Sequence, residues 1–154
     1  MTGISYKAII DDRDMRAKLA ELIGKMQRPA GFYKNVGEHL LNSVKDNFEN
    51  ERAPDGSRWK VLSQTTRDQR EKKYGHSPNS ILRASGDLMN SINMQASDTD
   101  VRIGSSLIYA AIHQFGGDAG RGKKVTIPAR PYLGLTTADE QEVVTIAEEW
   151  LAAE

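Results

Sequence analysis

Residues 32–48 read FYKNVGEHLLNSVKDNF. Phe32, Val36, Leu40, Val44 and Phe48 recur every four positions, with Tyr33 and Leu41 beside them. That spacing lays an apolar stripe along one face of a helix. It predicts a long helix from about Ala30 to Glu51, resting on a sheet or another helix. Gly37 falls inside the pattern. A mid-helix glycine costs about 1 kcal/mol against alanine, a loss to the helix unless close packing at that point explains the choice.

Upstream, Ile4, Tyr6, Ala8 and Ile10 alternate as in a short strand. Asp11 and Asp12 then open a helix whose Met15, Leu19, Leu22 and Met26 recur at three or four, ending at Arg28-Pro29. Downstream, APDGS (53–57) is a turn: Pro54 presets its dihedral and Gly56 accepts positive φ. Trp59, Val61 and Leu62 follow, and Ser63 caps a polar helix closed by Gly75. Ile81, Leu82, Leu88 and Ile92 read as buried around a short helix near Ser85.

The period then changes from helical to alternating. Ile92, Met94 and Ala96, then Val101 and Ile103, predict a β-hairpin with a polar turn at SDTD. Ser105 or Ser106 is positioned to cap a short helix through Phe115, and Val125–Ile127 reads as another strand. Thr137-Ala138-Asp139-Glu140 has capping-box spacing ahead of a last helix with Val143, Ile146, Ala147, Trp150 and Leu151 on one stripe. The reading is one α+β domain over residues 1–154: a small, mostly antiparallel β-sheet packed by a long N-terminal-half helix and a C-terminal helix.

The chain has 154 residues, no cysteine, and 21 basic against 21 acidic side chains. Disulfides and cysteine-ligated metals are excluded. The opening MTGISYKAIIDDRD shows no signal-peptide pattern, and no apolar run approaches a membrane span, so no membrane association is expected. Zero net charge argues against a protein built mainly to coat nucleic acid. The two signs are nevertheless segregated. Arg67, Arg70, Lys72 and Lys73 crowd one segment, Arg121, Lys123 and Lys124 another, while no Lys or Arg follows Thr137.

Catalytic patterns fare poorly. GDAGRGKK (117–124) has most of a phosphate-loop spacing, but a helical segment precedes it, VTIPARP follows it, and Lys124 stands where a hydroxyl is needed. His39, His76 and His113 are isolated from one another, and no HExxH or G-x-S-x-G occurs. The residues point to no catalytic group, metal or cofactor. In YAAIHQFGG (109–117), a helix from about Leu107 places Ile108, Ile112 and Phe115 on one face and stacks Tyr109 on His113. Gly116 ends it with positive φ, and His113 is placed to serve the last carbonyls. The stretch reads as a structural corner anchoring a glycine-rich loop.

Four stretches taken in order carry a resemblance: FENERAPDGSRWKVLSQTT (48–66), ILRASGDLMNSI (81–92), VRIGSSLIYAAIHQFGG (101–117) and IPARPYLGLT (127–136). Together they resemble the phage virion morphogenesis family, the Mu-like tail-completion proteins. The matching positions include Gly56, Trp59, Gly86, Tyr109, His113, Gln114, Phe115, Gly116, Pro131 and Leu133. The resemblance implies a non-enzymatic structural protein of the phage or prophage neck, which completes the tail or joins it to the head as a homo-oligomeric ring. It also implies other neck, connector or tail proteins as partners, residence in the virion, and host cytoplasm during assembly. Segregated charge suits such a ring: the acidic last helix of one subunit would face the 121–124 loop or the 67–73 helix of the next. The basic loop would alternatively touch packaged DNA in passage. The competing reading is a nucleic-acid-binding module using segments 67–73 and 121–124.

Overall fold

The computed structural model describes residues 7, 9, 11–75 and 80–153. The strand expected over Ile4–Ile10 lies outside the described residues apart from Lys7 and Ile9, and His76 lies outside them too. The described chain is α+β, with six helices and two antiparallel hairpins. In order these are α1 (Arg13–Gln27), α2 (Ala30–Asn50), α3 (Gln64–Tyr74), α4 (Asp87–Asn90), β1 (Asn93–Ala96), β2 (Val101–Gly104), α5 (Ala110–Phe115), β3 (Gly117–Ala119), β4 (Val125–Ile127) and α6 (Thr137–Ala152). The strands form two separate two-stranded sheets, β1–β2 and β3–β4.

Helix α2 organises the rest, as its period requires. Its buried face, Val36, Val44 and Phe48, meets the β1–β2 hairpin, and α6 packs against it as well. Phe48 is 0% exposed, edge-on to Trp59 with centroids 5.6 Å apart and tilted against Tyr132 at 5.0 Å. Burying each such ring stabilises by about 1.5–3 kcal/mol, and each aromatic pair adds roughly 0.5–1.5 kcal/mol. Ile81, Leu88, Ile92 and Ala110 complete this core.

Gly37 faces the hairpin at close quarters. A Cβ there would lie 2.8 Å from Met94 Sδ and 2.9 Å from Val101 Cγ2. Met94 can swing aside, but the β-branched Val101 is stiff within a strand. Gly37→Ala is therefore expected to lower stability by about 1–2 kcal/mol despite alanine's better helix propensity. Thermal unfolding checks this, and a raised Tm would contradict the packing.

The end of α2 is sharp. Glu51 adopts a left-handed conformation, φ 54°, that glycine more often fills. Two bonds hold it: its carbonyl accepts from Trp59 N–H (3.0 Å) and its Oε1 from Ile81 N–H (2.8 Å). The 53–57 turn closes with Ala53 N–H on the Ser57 carbonyl (2.8 Å), and Gly56 takes φ 84° as expected. Helix α3 is capped by Ser63, whose Oγ accepts from Thr66 N–H, and ends at Gly75 with φ 71°.

Three boundaries differ from the sequence reading. Helix α5 begins at Ala110, because Ser105 Oγ accepts from Leu107 N–H in a local turn and caps no helix. Ile108 thus falls outside the helix and is fully exposed. The segment read as a loop after Gly116 pairs instead: Gly117 opposes Ile127, and Ala119 opposes Val125, around a 3-10 turn at Arg121–Lys123. The capping box of α6 uses Thr136 and Asp139, one residue earlier than the Thr137–Glu140 register. Helix α1 forms, but among the described residues its apolar stripe is only partly covered, Leu22 being half-buried. Met15, Leu19 and Met26 are exposed, and α1 has no buried residue.

Candidate assembly interface

The residues 130–133, Arg-Pro-Tyr-Leu, run past α5 as extended chain whose backbone groups need partners. Gln114 supplies three of them. Its Oε1 accepts from Tyr132 N–H and Leu133 N–H, each at 3.0 Å, and its Nε2 donates to the Leu133 carbonyl at 3.0 Å. Trp59 Nε1 donates to the Pro131 carbonyl (2.7 Å), and Asn47 Nδ2 to the Tyr132 carbonyl (3.1 Å). In return the buried Tyr132 hydroxyl donates to the Ala110 carbonyl (2.8 Å) at the start of α5. The structure thus brings Trp59, Gln114, Pro131 and Leu133 together into one brace. Gly116, φ 74° and ψ 177°, lets the chain turn directly under Ala129 and Ile127. Gly56 and Gly86 serve separate turns, Gly86 preceding α4 with φ 83°.

Outside this brace, side chains face outward. Tyr109 meets His113 edge-on at 6.0 Å and is partly exposed. Phe115 is 78% exposed, like Ile108, the residue expected to share its helix face. His113 also departs from its expected part. Its carbonyl accepts from Arg130 N–H (2.8 Å), but its ring Nδ1 is buried without a partner. Burial, with the Arg130 charge second, pushes the imidazole pKa below its usual range, so the neutral ring is favoured there.

A cavity of about 510 Å³ opens beside His113, between α3 and the β3–β4 hairpin. Arg70 from α3 and Arg130 share its wall. Arg130 is only 6% exposed, and its Nε and Nη2 donate to the carbonyls of Lys60 (2.8 Å) and Val61 (3.3 Å). Burial and then Arg70 push the Arg130 pKa down, and burial does the same to Arg70, whose Nη1 donates to the Ser80 carbonyl. The remaining cations of the two basic segments, Arg67, Lys72, Lys73, Arg121, Lys123 and Lys124, are exposed and do not line this cavity.

The sequence profile of the phage virion morphogenesis family matches residues 10–152. The chain belongs to that family. It is 37% identical over 143 residues to the putative capsid assembly protein G of Escherichia phage Mu, covering 92% of this chain and 90% of that one. It is also 53% identical over 57 residues to the Mu-like prophage FluMu G protein 2 of Haemophilus influenzae, covering 37% and 41%. No solved structure matches it. This virion morphogenesis chain therefore has a phage structural or assembly role. None of its described helices is long and apolar enough to cross a membrane.

One polar cluster of this virion morphogenesis protein escaped sequence reading. Asp139, 3% exposed, accepts from Ser43 Oγ through Oδ2 (2.8 Å) and pairs with His39 Nε2 through Oδ1 (2.8 Å). Its Oδ2 also accepts from Thr136 N–H (2.8 Å) in the capping box. Only the box had a sequence signal, since His39 and Ser43 lie about a hundred residues away. The order is wrong for nucleophilic catalysis, which needs imidazole between hydroxyl and carboxylate. The cluster instead fastens the start of α6 to α2. Burial raises the Asp139 pKa, but the hydrogen bonds from Thr136, Ser43 and His39 outweigh it and hold the carboxyl below its usual 3.8. A depressed carboxyl contributes stability above that pH and loses it as pH falls through the lowered value. Asp139→Asn is thus expected to lose about 1–2 kcal/mol at neutral pH. In urea unfolding the gap from wild type should narrow below pH 3.8, and a gap constant with pH would contradict this account.

Proposed function

We propose that this chain is a structural component of the phage neck, a ring of identical subunits that completes the tail or joins it to the head, and that it carries out no bond chemistry. The observation that carries the reading is how the family-like residues divide. Trp59, Gln114, Gly116 and Pro131 brace one another internally, while Tyr109, Phe115 and the neighbouring Ile108 are left facing outward. A rigid corner displaying apolar side chains suits contact with other proteins. Exposed cations on α3 and at the β3–β4 tip, against glutamates on α6, supply the opposite faces that a head-to-tail ring needs. Its partners are other copies and the adjoining neck, connector or tail proteins, met in host cytoplasm and retained in the virion.

Particles grown without this chain are expected to accumulate as filled heads and separate tails, joined on adding the purified protein. Normal particles, or heads that fail to fill, would overturn the reading. A nucleic-acid-binding module using segments 67–73 and 121–124 keeps one observation in its favour: apart from Arg70, the cations of both segments are exposed. Tight duplex DNA binding that weakens steeply with salt is the outcome that favours it.

A further inference from the structure

We infer that the cavity between α3 and the β3–β4 hairpin is a receptor for a carboxylate borne on the α6 helix of a second copy, an inference resting on the ring proposed above. Arg130 is the reason. A guanidinium this far from water is costly unless an opposite charge compensates it. Here two backbone carbonyls return part of that; among the described residues Nη1 has no hydrogen-bond partner and no carboxylate pairs with Arg130. Arg70 on the same wall adds repulsion, and the unpartnered Nδ1 of His113 lies beside it. The cavity thus collects positive charge that an anion would relieve.

The rest of the wall selects the kind of anion. Val61, Leu82, Ile127 and Pro128 are apolar, so the space suits one planar carboxylate on an aliphatic stem. A continuous polyphosphate strand would bury charge against these side chains without compensation. The donor is legible in the same chain. Glu140, Glu142, Glu148 and Glu149 are exposed on α6, make no ion pair among the described residues, and have no Lys or Arg between 137 and 152. No α6 residue lines the cavity, so the carboxylates and the buried cation belong to different parts of the molecule. Acceptor at one place and donor at another is the arrangement for a heterologous contact, which propagates from copy to copy until it closes.

The absence of cysteine makes the test clean. Val61 is 73% exposed at the cavity rim, so Val61→Cys gives a unique handle with little threat to folding. The full-length variant, mixed from isotopically light and heavy copies and labelled with maleimide-benzophenone, is irradiated in assembled particles. Light–heavy cross-links are expected within residues 137–152, and the combined variant E140Q/E142Q/E148Q/E149Q should reduce them at least tenfold. Light–heavy cross-links elsewhere, an unchanged yield in the combined variant, or cross-links to DNA would overturn the carboxylate receptor while leaving the ring standing. If no light–heavy cross-link forms and particles carry a single copy, the ring itself is gone.

Discussion

Gly116→Ala is expected to cost about 4 kcal/mol and to leave little folded protein. Two independent effects meet at this residue. Its φ of 74° with ψ of 177° lies in a region essentially restricted to glycine, worth roughly 1–3 kcal/mol of strain for any other residue. An added Cβ would also stand 2.7 Å from Ala129 N and 3.0 Å from Ile127 O. Both are backbone atoms at or just beyond the end of β4, so relief requires moving β4 or α5, at about 1–3 kcal/mol more. Against a total stability of roughly 5–15 kcal/mol, that loss lowers Tm by roughly 10 °C or prevents soluble accumulation. Circular dichroism melting reads it, and a variant within about 0.5 kcal/mol of wild type would mean that the corner is not the rigid element described above.

Gln114→Ala is expected to cost about 3 kcal/mol. The change removes three hydrogen bonds and strands two N–H groups and a carbonyl in a partly buried brace. Each group left without a partner costs about 1–3 kcal/mol, less where water can enter. Gln114→Glu separates hydrogen bonding from shape. It keeps acceptors for Tyr132 and Leu133 N–H and loses only the donor to the Leu133 carbonyl, so it should fall between alanine and wild type. Urea unfolding followed by tryptophan fluorescence is apt, since Trp59 bonds to neighbouring Pro131. Equal loss in both variants would show that the bonds accepted from Tyr132 and Leu133 N–H contribute nothing, and would contradict the brace described above.

Much of the fold is written locally. The four-residue spacing of Phe32 to Phe48 fixes α2 to within a residue at its end, because one apolar stripe meets one long partner surface. Ser63 and Gly75 bracket α3 because capping is a property of single residues. Reading failed where neighbours offered equivalent choices or where partners were distant. Adjacent Thr136-Thr137 and Asp139-Glu140 give two capping registers, and Ser43 with His39 decides between them from α2. The glycines of 116–122 hid β3, whose pairing depends on Val125–Ile127 rather than on its own propensity.

The candidate site was partly legible for the same reasons. The corner at 109–117 was visible as a helix end followed by glycine, and Gln114 as one of the positions matching the family. The buried state of Arg130 was not, since nothing local marks an arginine that will sit under Lys60 and Val61. Nor does sequence reveal that Phe115 faces outward, because an apolar residue at a helix end reads the same whether the chain itself or a neighbour covers it. The exposed stripe of α1 teaches the same lesson: amphipathic spacing announces a partner surface without saying whose.

Imaging intact particles, with this chain located by its density or a label, tests the central claim most directly. A closed ring of copies at the junction of head and tail, α6 of each subunit against the α3 side of the next, is the predicted result. Particles in which the chain is missing, present as one copy, or placed away from that junction would contradict it.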